Sequence, residues 1–224
     1  MFDAIARRYD RGNFVLSAGI DRLWRRRAIK ELGFTGRERV LDMCTGTADL
    51  AIEAVRSPYG RAAQVIGVDF AGEMLRLGLV KVRQLGLARQ IVLARGDATA
   101  VPLPDASVDA AMVAFGIRNV VDPAKAAREF ARVLKPGGQL AVLEFGQPPN
   151  PAIRAFYGWY SRVVLPRIGR LISKHGDAYS YLPASVAQFP SPDAFAAMLT
   201  QNGFSTVRHV PLTFGVVYLY IARI

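Results

Sequence analysis

Between residues 39 and 144 five short apolar runs alternate with amphipathic stretches, and no other feature limits the fold of this chain as tightly. Arg39 to Cys44, Gln64 to Val68, Gln90 to Ala94, Val108 to Ala114 and Gln139 to Glu144 have strand length and end at turn residues. Asp49 to Val55 and Met74 to Leu85 have helical spacing, the second with Leu75, Leu79, Val82 and Leu85 predicted on its buried face. A third helix is predicted from the Asp122-Pro123 cap, with Ala127, Phe130, Ala131 and Leu134 as its stripe and Pro136-Gly137-Gly138 as its stop. Such alternation, with right-handed crossovers, gives a doubly wound parallel α/β sheet whose ligands sit beyond the carboxyl ends of the strands.

The pattern breaks over 146–190, where Pro148, Pro149, Pro151, Pro166 and Pro183 interrupt amphipathic stretches, and a helical insertion is predicted there. Ser191 to Gly203 resumes as a helix, and Thr206 to Val210 and Phe214 to Ile221 read as a final antiparallel pair. The expectation is one domain over 1–224, with an N-terminal helical arm at 1–35.

With 51% hydrophobic and 21% charged residues, 224 residues bury a full core, which excludes a disordered chain. One cysteine, Cys44, excludes a disulfide scaffold and fits a reducing cytoplasm. No apolar window is long enough to span a bilayer, and the N-terminus lacks signal-peptide features. The net charge of +11 is concentrated: residues 1–30 carry +5 and residues 145–176 another +5, around an almost neutral body. Nucleic acid, an anionic membrane and an acidic substrate are the partner classes this raises.

Strand one ends in Asp42-Met-Cys-Thr-Gly46-Thr-Ala-Asp49, a turn with one glycine, too few for a pyrophosphate-binding loop. A ligand without phosphates asks less of the backbone. Asp42 offers an acceptor to an amino or cationic group, Asp69 at the end of strand two an acceptor to ribose hydroxyls, and Asp97 an acceptor to an adenine amino group. Ala98 adds a backbone N–H for a ring nitrogen. Any one of these acids reads equally as a turn cap, but three at successive strand ends describe a site for S-adenosylmethionine. No metal-ligand cluster is present in the reading. Cys44 reads as a packing residue, His209 as structural, and His175 as an insertion residue with no assigned role.

Over nearly its whole length the chain resembles the C-methyltransferases of ubiquinone and menaquinone biosynthesis. The resemblance is carried by Tyr9-Asp10, Asn13, Leu16-Ser17, Gly19-Ile20-Asp21 and Trp24, by Arg132-Val-Leu-Lys-Pro-Gly-Gly138 with Leu143-Glu144, and by Ala114-Phe-Gly-Ile-Arg-Asn119. Pro166 to Gly169, Tyr181-Leu182, Ser185, Phe189-Pro190, Leu212-Thr213 and Gly215-Val216 extend it. Departures are Ala48 in place of a third glycine, Gly146 in place of serine and Ala184 in place of glutamate.

The resemblance implies a class I S-adenosylmethionine-dependent methyltransferase that methylates a ring carbon of a prenylated quinol. The quinol is demethylmenaquinol or a ubiquinol precursor. It also implies that Arg118, Asn119 and Tyr9 lie at the substrate, Arg118 stabilising a quinolate with Asn119 orienting it, while Thr47 and Ala114 complete the cofactor contacts. The acid-free stretch from Arg154 to Ile172, with Phe156, Tyr157, Trp159 and Tyr160 among its arginines, fits an interfacial helix on anionic lipid. Expected partners are thus the polyprenyl quinol, an anionic membrane surface contacted peripherally, and a second copy or other quinone-biosynthesis proteins. A nucleic-acid methyltransferase would explain the basicity, but Phe115-Gly-Ile-Arg118 stands where such enzymes hold a flipped amino group, and no nucleic acid is expected. Methylation of another substrate, such as a small molecule or RNA, and cofactor binding without turnover are the remaining readings.

Overall fold

A computed structural model describes residues 19–160, 163 and 184–224. Seven strands form one sheet: β1 (Arg39–Met43), β2 (Gln64–Asp69), β3 (Ile91–Arg95), β4 (Val108–Ala114), β5 (Leu134–Phe145), β6 (Thr206–Leu212) and β7 (Val217–Arg223). Their order is β3-β2-β1-β4-β5-β7-β6. The first five run parallel, and β7 pairs antiparallel with both β5 and β6. The order reverses between β1 and β4, which places the switch point, and hence a ligand crevice, beyond the ends of these two strands.

The helices are α1 (Ile20–Leu32), α2 (Asp49–Arg56), α3 (Gly72–Gln84), α4 (Pro123–Val133), α5 (Pro151–Trp159) and α6 (Pro192–Gln201). One core layer joins Trp24 and Ile29 of α1, Leu50 and Ala54 of α2 and Val82 of α3 to Val40, Val65 and Met112 of the sheet. The opposite layer joins Phe130 of α4 and Phe195 and Leu199 of α6 to Leu41, Val113, Leu140 and Tyr220. Central strands therefore bury both faces, as continuous apolar runs require. Asp122 caps α4 by accepting from the Lys125 N–H, and Ser191 caps α6 through the Ala194 N–H, each with proline in the first turn.

Three local expectations are corrected. The buried face of α3 runs through Met74, Leu75, Gly78 and Val82, and Leu79 and Leu85 are exposed. Gly78 sets this rotation: a Cβ there would stand 3.0 Å from Leu93 Cδ1 and 3.2 Å from the Thr47 carbonyl carbon, so the helix lies down on its glycine. α4 ends at Val133, and Leu134 is already the first residue of β5, paired with Val108. Pro136-Gly137-Gly138 forms an irregularity inside β5, after which pairing resumes at Ala110 with Gln139. Phe214 is exposed in a 3-10 turn, Thr213–Gly215, with φ 57°, so the last strand begins only at Val217.

Of the predicted N-terminal arm, α1 is described. Of the 146–190 insertion, α5 and a helical turn at 184–188 are described. Tyr9, Arg162, Arg167, Arg170 and His175 lie outside the described residues. Among the described residues no helix is long and apolar enough to cross a membrane.

Candidate active site

The predicted acids stand at the carboxyl ends of β1, β2 and β3, and Asp69 joins the turns after the first two. Asp42, buried at the end of β1, accepts from Thr45 Oγ1 at 2.5 Å and from the Ala51 N–H at 3.1 Å, tying the turn to the first turn of α2. Burial, with the Asp69 charge nearby, raises its carboxyl from the ordinary 3.8 to about 7, against the opposing bonds from Thr45 and Ala51. Asp69, half-buried, accepts from the Gly46 N–H at 2.7 Å and the Ala71 N–H at 2.8 Å. The Thr45 N–H donates to the Val68 carbonyl at 3.1 Å, so the β1 turn lies against the end of β2.

Gly46 has φ 55°, and a Cβ built there meets no atom within 4 Å. The turn thus opens onto free space at Gly46, whose left-handed backbone favours glycine. Its neighbour Thr47 is buried and its hydroxyl accepts from Lys81 Nζ at 3.1 Å, which in turn pairs with Asp49 at 2.7 Å. Asp97 is exposed, and its Oδ1 accepts from the Thr99 N–H at 2.8 Å and hydroxyl at 3.0 Å, an Asx cap, while Ala98 beside it is buried.

The turns after β1 and β4 touch. A Cβ on Gly116 would fall onto Cys44 Cβ, so glycine there is a condition of their approach. Cys44, with φ 57°, is packed against the core, and burial and the charges of Asp69, Asp42, Glu144 and Asp97 push its thiol up, out of reach of thiolate chemistry. Its reading as a packing residue agrees with this.

Arg118 stands in a 3-10 turn (Ile117–Asn119) just past Ala114 and Phe115, next to the Gly116 that meets Cys44. Its Nη1 donates to Glu144 Oε1 at 2.6 Å and to the Phe115 carbonyl at 2.7 Å, and its Nε to Ser185 Oγ at 3.3 Å. Only 9% of the Arg118 side chain and none of Glu144 is exposed, so this is a buried ion pair and not a surface salt bridge. Asn119 is half-buried, its N–H bonded to the Gly116 carbonyl at 3.0 Å. Phe115, Phe145 and Trp24 pack ring to ring beside the guanidinium, and Trp24 Nε1 donates to Thr213 Oγ1 at 2.8 Å.

Glu144 had no assigned role in the sequence reading. The signal was an acid closing a strand otherwise apolar on both faces, where a charge needs a partner. His209 bonds Asp193 at 2.8 Å and packs on Tyr218 and Tyr220, away from this edge. Gly146 also acquires a reason: a Cβ there would stand 2.6 Å from the Tyr218 ring.

The sequence model of the ubiE/COQ5 methyltransferase family matches residues 1–223. A ubiquinone/menaquinone biosynthesis C-methyltransferase of Syntrophotalea carbinolica is 50% identical, over 98% of this chain and 91% of its own. A demethylmenaquinone methyltransferase of Thermus thermophilus is 46% identical, over 99% of this chain and 98% of its own. Among solved structures, a putative S-adenosylmethionine-dependent methyltransferase of Methanococcus maripaludis shares the fold with TM-score 0.71 and 21% identity, covering 99% of this chain and 93% of that one. With its acids gathered at β1 to β3, its buried arginine after β4 and a match from end to end, the chain belongs to the ubiE/COQ5 methyltransferase family.

Proposed function

We propose that the protein transfers the methyl group of S-adenosylmethionine to a ring carbon of a prenylated quinol, demethylmenaquinol or a ubiquinol precursor, in respiratory quinone biosynthesis. The observation that carries this reading is the buried Arg118–Glu144 pair in the turn after β4, which packs through Gly116 on the β1 turn, together with family membership. The cofactor supplies an electrophilic methyl on a sulfonium. The open turn at Gly46 and the carboxylates around it fit that ligand: Asp69 for the ribose hydroxyls, Asp42 for the amino group, Asp97 and Ala98 for the adenine, with Thr47 and Ala114 bordering them. On the acceptor side Arg118 favours the ionised quinol hydroxyl, which makes the adjacent ring carbon nucleophilic, and Asn119 orients it. Tyr9 joins them by resemblance to the family. With the cofactor bound, its methyl would pass to the ring carbon, the sulfonium would leave as a neutral thioether, and the ring proton would go to solvent as aromaticity returns. Phe115, Phe145 and Trp24 keep water from this side.

The site works from the cytoplasmic face of a membrane. In support, α5 buries none of its residues, and Phe156 and Trp159 are 65% and 52% exposed. The rival basic cluster on α1 is neutralised in place: Arg25 pairs with Asp21, Arg26 with Glu53 and Arg27 with Glu31. Binding to anionic vesicles that weakens with salt, and is lost when Arg154, Arg162, Arg167 and Arg170 are neutralised together, is expected. Equal binding to neutral vesicles contradicts it.

The function is tested by supplying methyl-deuterated cofactor with demethylmenaquinol and a ubiquinol precursor in one reaction and locating the label by mass spectrometry. Label on a ring carbon of one or both quinols is expected. Label on oxygen, or none, overturns the reading.

A further inference from the structure

We propose that Glu144 is the positioning residue for Arg118, and that Ser185 ties this pair to the returning end of the 146–190 segment. The inference rests on the reading of Arg118 as the cation that meets the acceptor.

Glu144 grips one residue at two points. Its Oε1 accepts from Arg118 Nη1 at 2.6 Å and its Oε2 from the Arg118 backbone N–H at 3.3 Å, while the Phe145 N–H donates to Oε1 at 2.8 Å. Side chain and main chain of the 3-10 turn are thereby fixed against the end of β5 by a single carboxylate. The Phe115 carbonyl takes a second bond from Nη1, Ser185 takes Nε, and the Phe145 ring lies 5.4 Å from the guanidinium carbon.

These contacts take up Nη1 and Nε of the guanidinium. Nη2 has no bonding partner among the described residues, and the one sealed side-chain polar atom without a partner among them is His209 Nδ1. Among the described residues Nη2 is thus the guanidinium nitrogen left for a ligand. A buried ion pair is a weak device for stability, because apolar residues of the same volume serve as well. It is an effective device for keeping a charged donor in one orientation where water is scarce.

The test is a cycle of four enzymes, wild type, Glu144→Gln, Arg118→Ala and the double variant, with turnover on demethylmenaquinol, cofactor affinity by calorimetry and melting temperature measured for each. Glu144→Gln is expected to lower kcat about tenfold with cofactor Kd within about twofold of wild type. The double variant is expected to turn over within about threefold of Arg118→Ala yet melt above it, because no stranded carboxylate remains buried. A purely structural pair would recover kcat along with melting temperature. Wild-type turnover in Glu144→Gln with slow Arg118→Ala overturns the inference and leaves the functional reading standing. Wild-type turnover in Arg118→Ala overturns that reading first. If Glu144→Gln does not fold, Ser185→Ala decides: about threefold slower turnover alone and no further loss on the Arg118→Ala background are expected. Full turnover in Ser185→Ala then overturns the proposal.

Discussion

At the ends of β1 to β3 the charged groups are carboxylates held by N–H and hydroxyl groups, whereas at the ends of β4 and β5 a guanidinium and a carboxylate 26 residues apart hold each other. The first half carries its charge at a cost: burial has pushed the Asp42 carboxyl up to about 7. The second half compensates its charge internally. A site that receives a ligand amino group can leave a carboxylate short of cations, and a site that presents a cation must fix it in place beforehand.

Removing a charge should therefore act oppositely in the two halves. Arg118→Ala strands a fully buried Glu144 and is expected to destabilise the fold by about 3 kcal/mol or more, read as a drop in denaturation midpoint. An unchanged midpoint would mean the pair is not buried in solution. Asp42→Asn should stabilise the protein without cofactor, by on the order of 4 kcal/mol at most above pH 7, while weakening cofactor binding.

The sign follows from proton uptake. With its folded pKa near 7 and its ordinary value at 3.8, Asp42 binds more protons folded than unfolded between those limits. Its contribution to stability falls as pH rises through that window and stays low above it. Urea midpoints from pH 4 to 8 should fall less steeply for Asp42→Asn than for wild type, and parallel curves would contradict the assignment.

Gly116→Ala strikes the seam between the halves. Its new methyl lands on Cys44, with an expected cost of about 2 kcal/mol, and Cys44→Gly in the same chain should recover most of it. Additive losses would show that the two turns do not touch. The smallest effect is expected of Trp24→Phe, which keeps an aromatic ring against Phe115 but loses the bond to Thr213, about 1 kcal/mol by thermal unfolding.

The same contrast explains what was legible in the sequence. Asp42, Asp69 and Asp97 each close or follow an apolar run, so their common edge follows from parallel strands alone. Arg118 and Asn119 came from resemblance, and Glu144 went unassigned, because its partner depends on the β4–β5 register and on a turn that no local pattern specifies. Ser185 lies 67 residues from the arginine it touches. Local misreadings have a like cause. Leu79 has the right spacing for a core position, but the close approach permitted by Gly78 turns it outward. Phe214 has strand character, but a left-handed backbone holds it in the turn.

The division of labour is tested most directly by measuring cofactor affinity and single-turnover methyl transfer side by side in Asp69→Ala and Arg118→Ala, at a temperature where both are folded. Asp69→Ala should lose about 1 to 3 kcal/mol of cofactor binding and transfer its methyl at nearly the wild-type rate once saturated. Arg118→Ala should bind cofactor like wild type and transfer at least about tenfold more slowly. Loss of binding in Arg118→Ala with transfer intact, or the reverse in Asp69→Ala, would contradict the account.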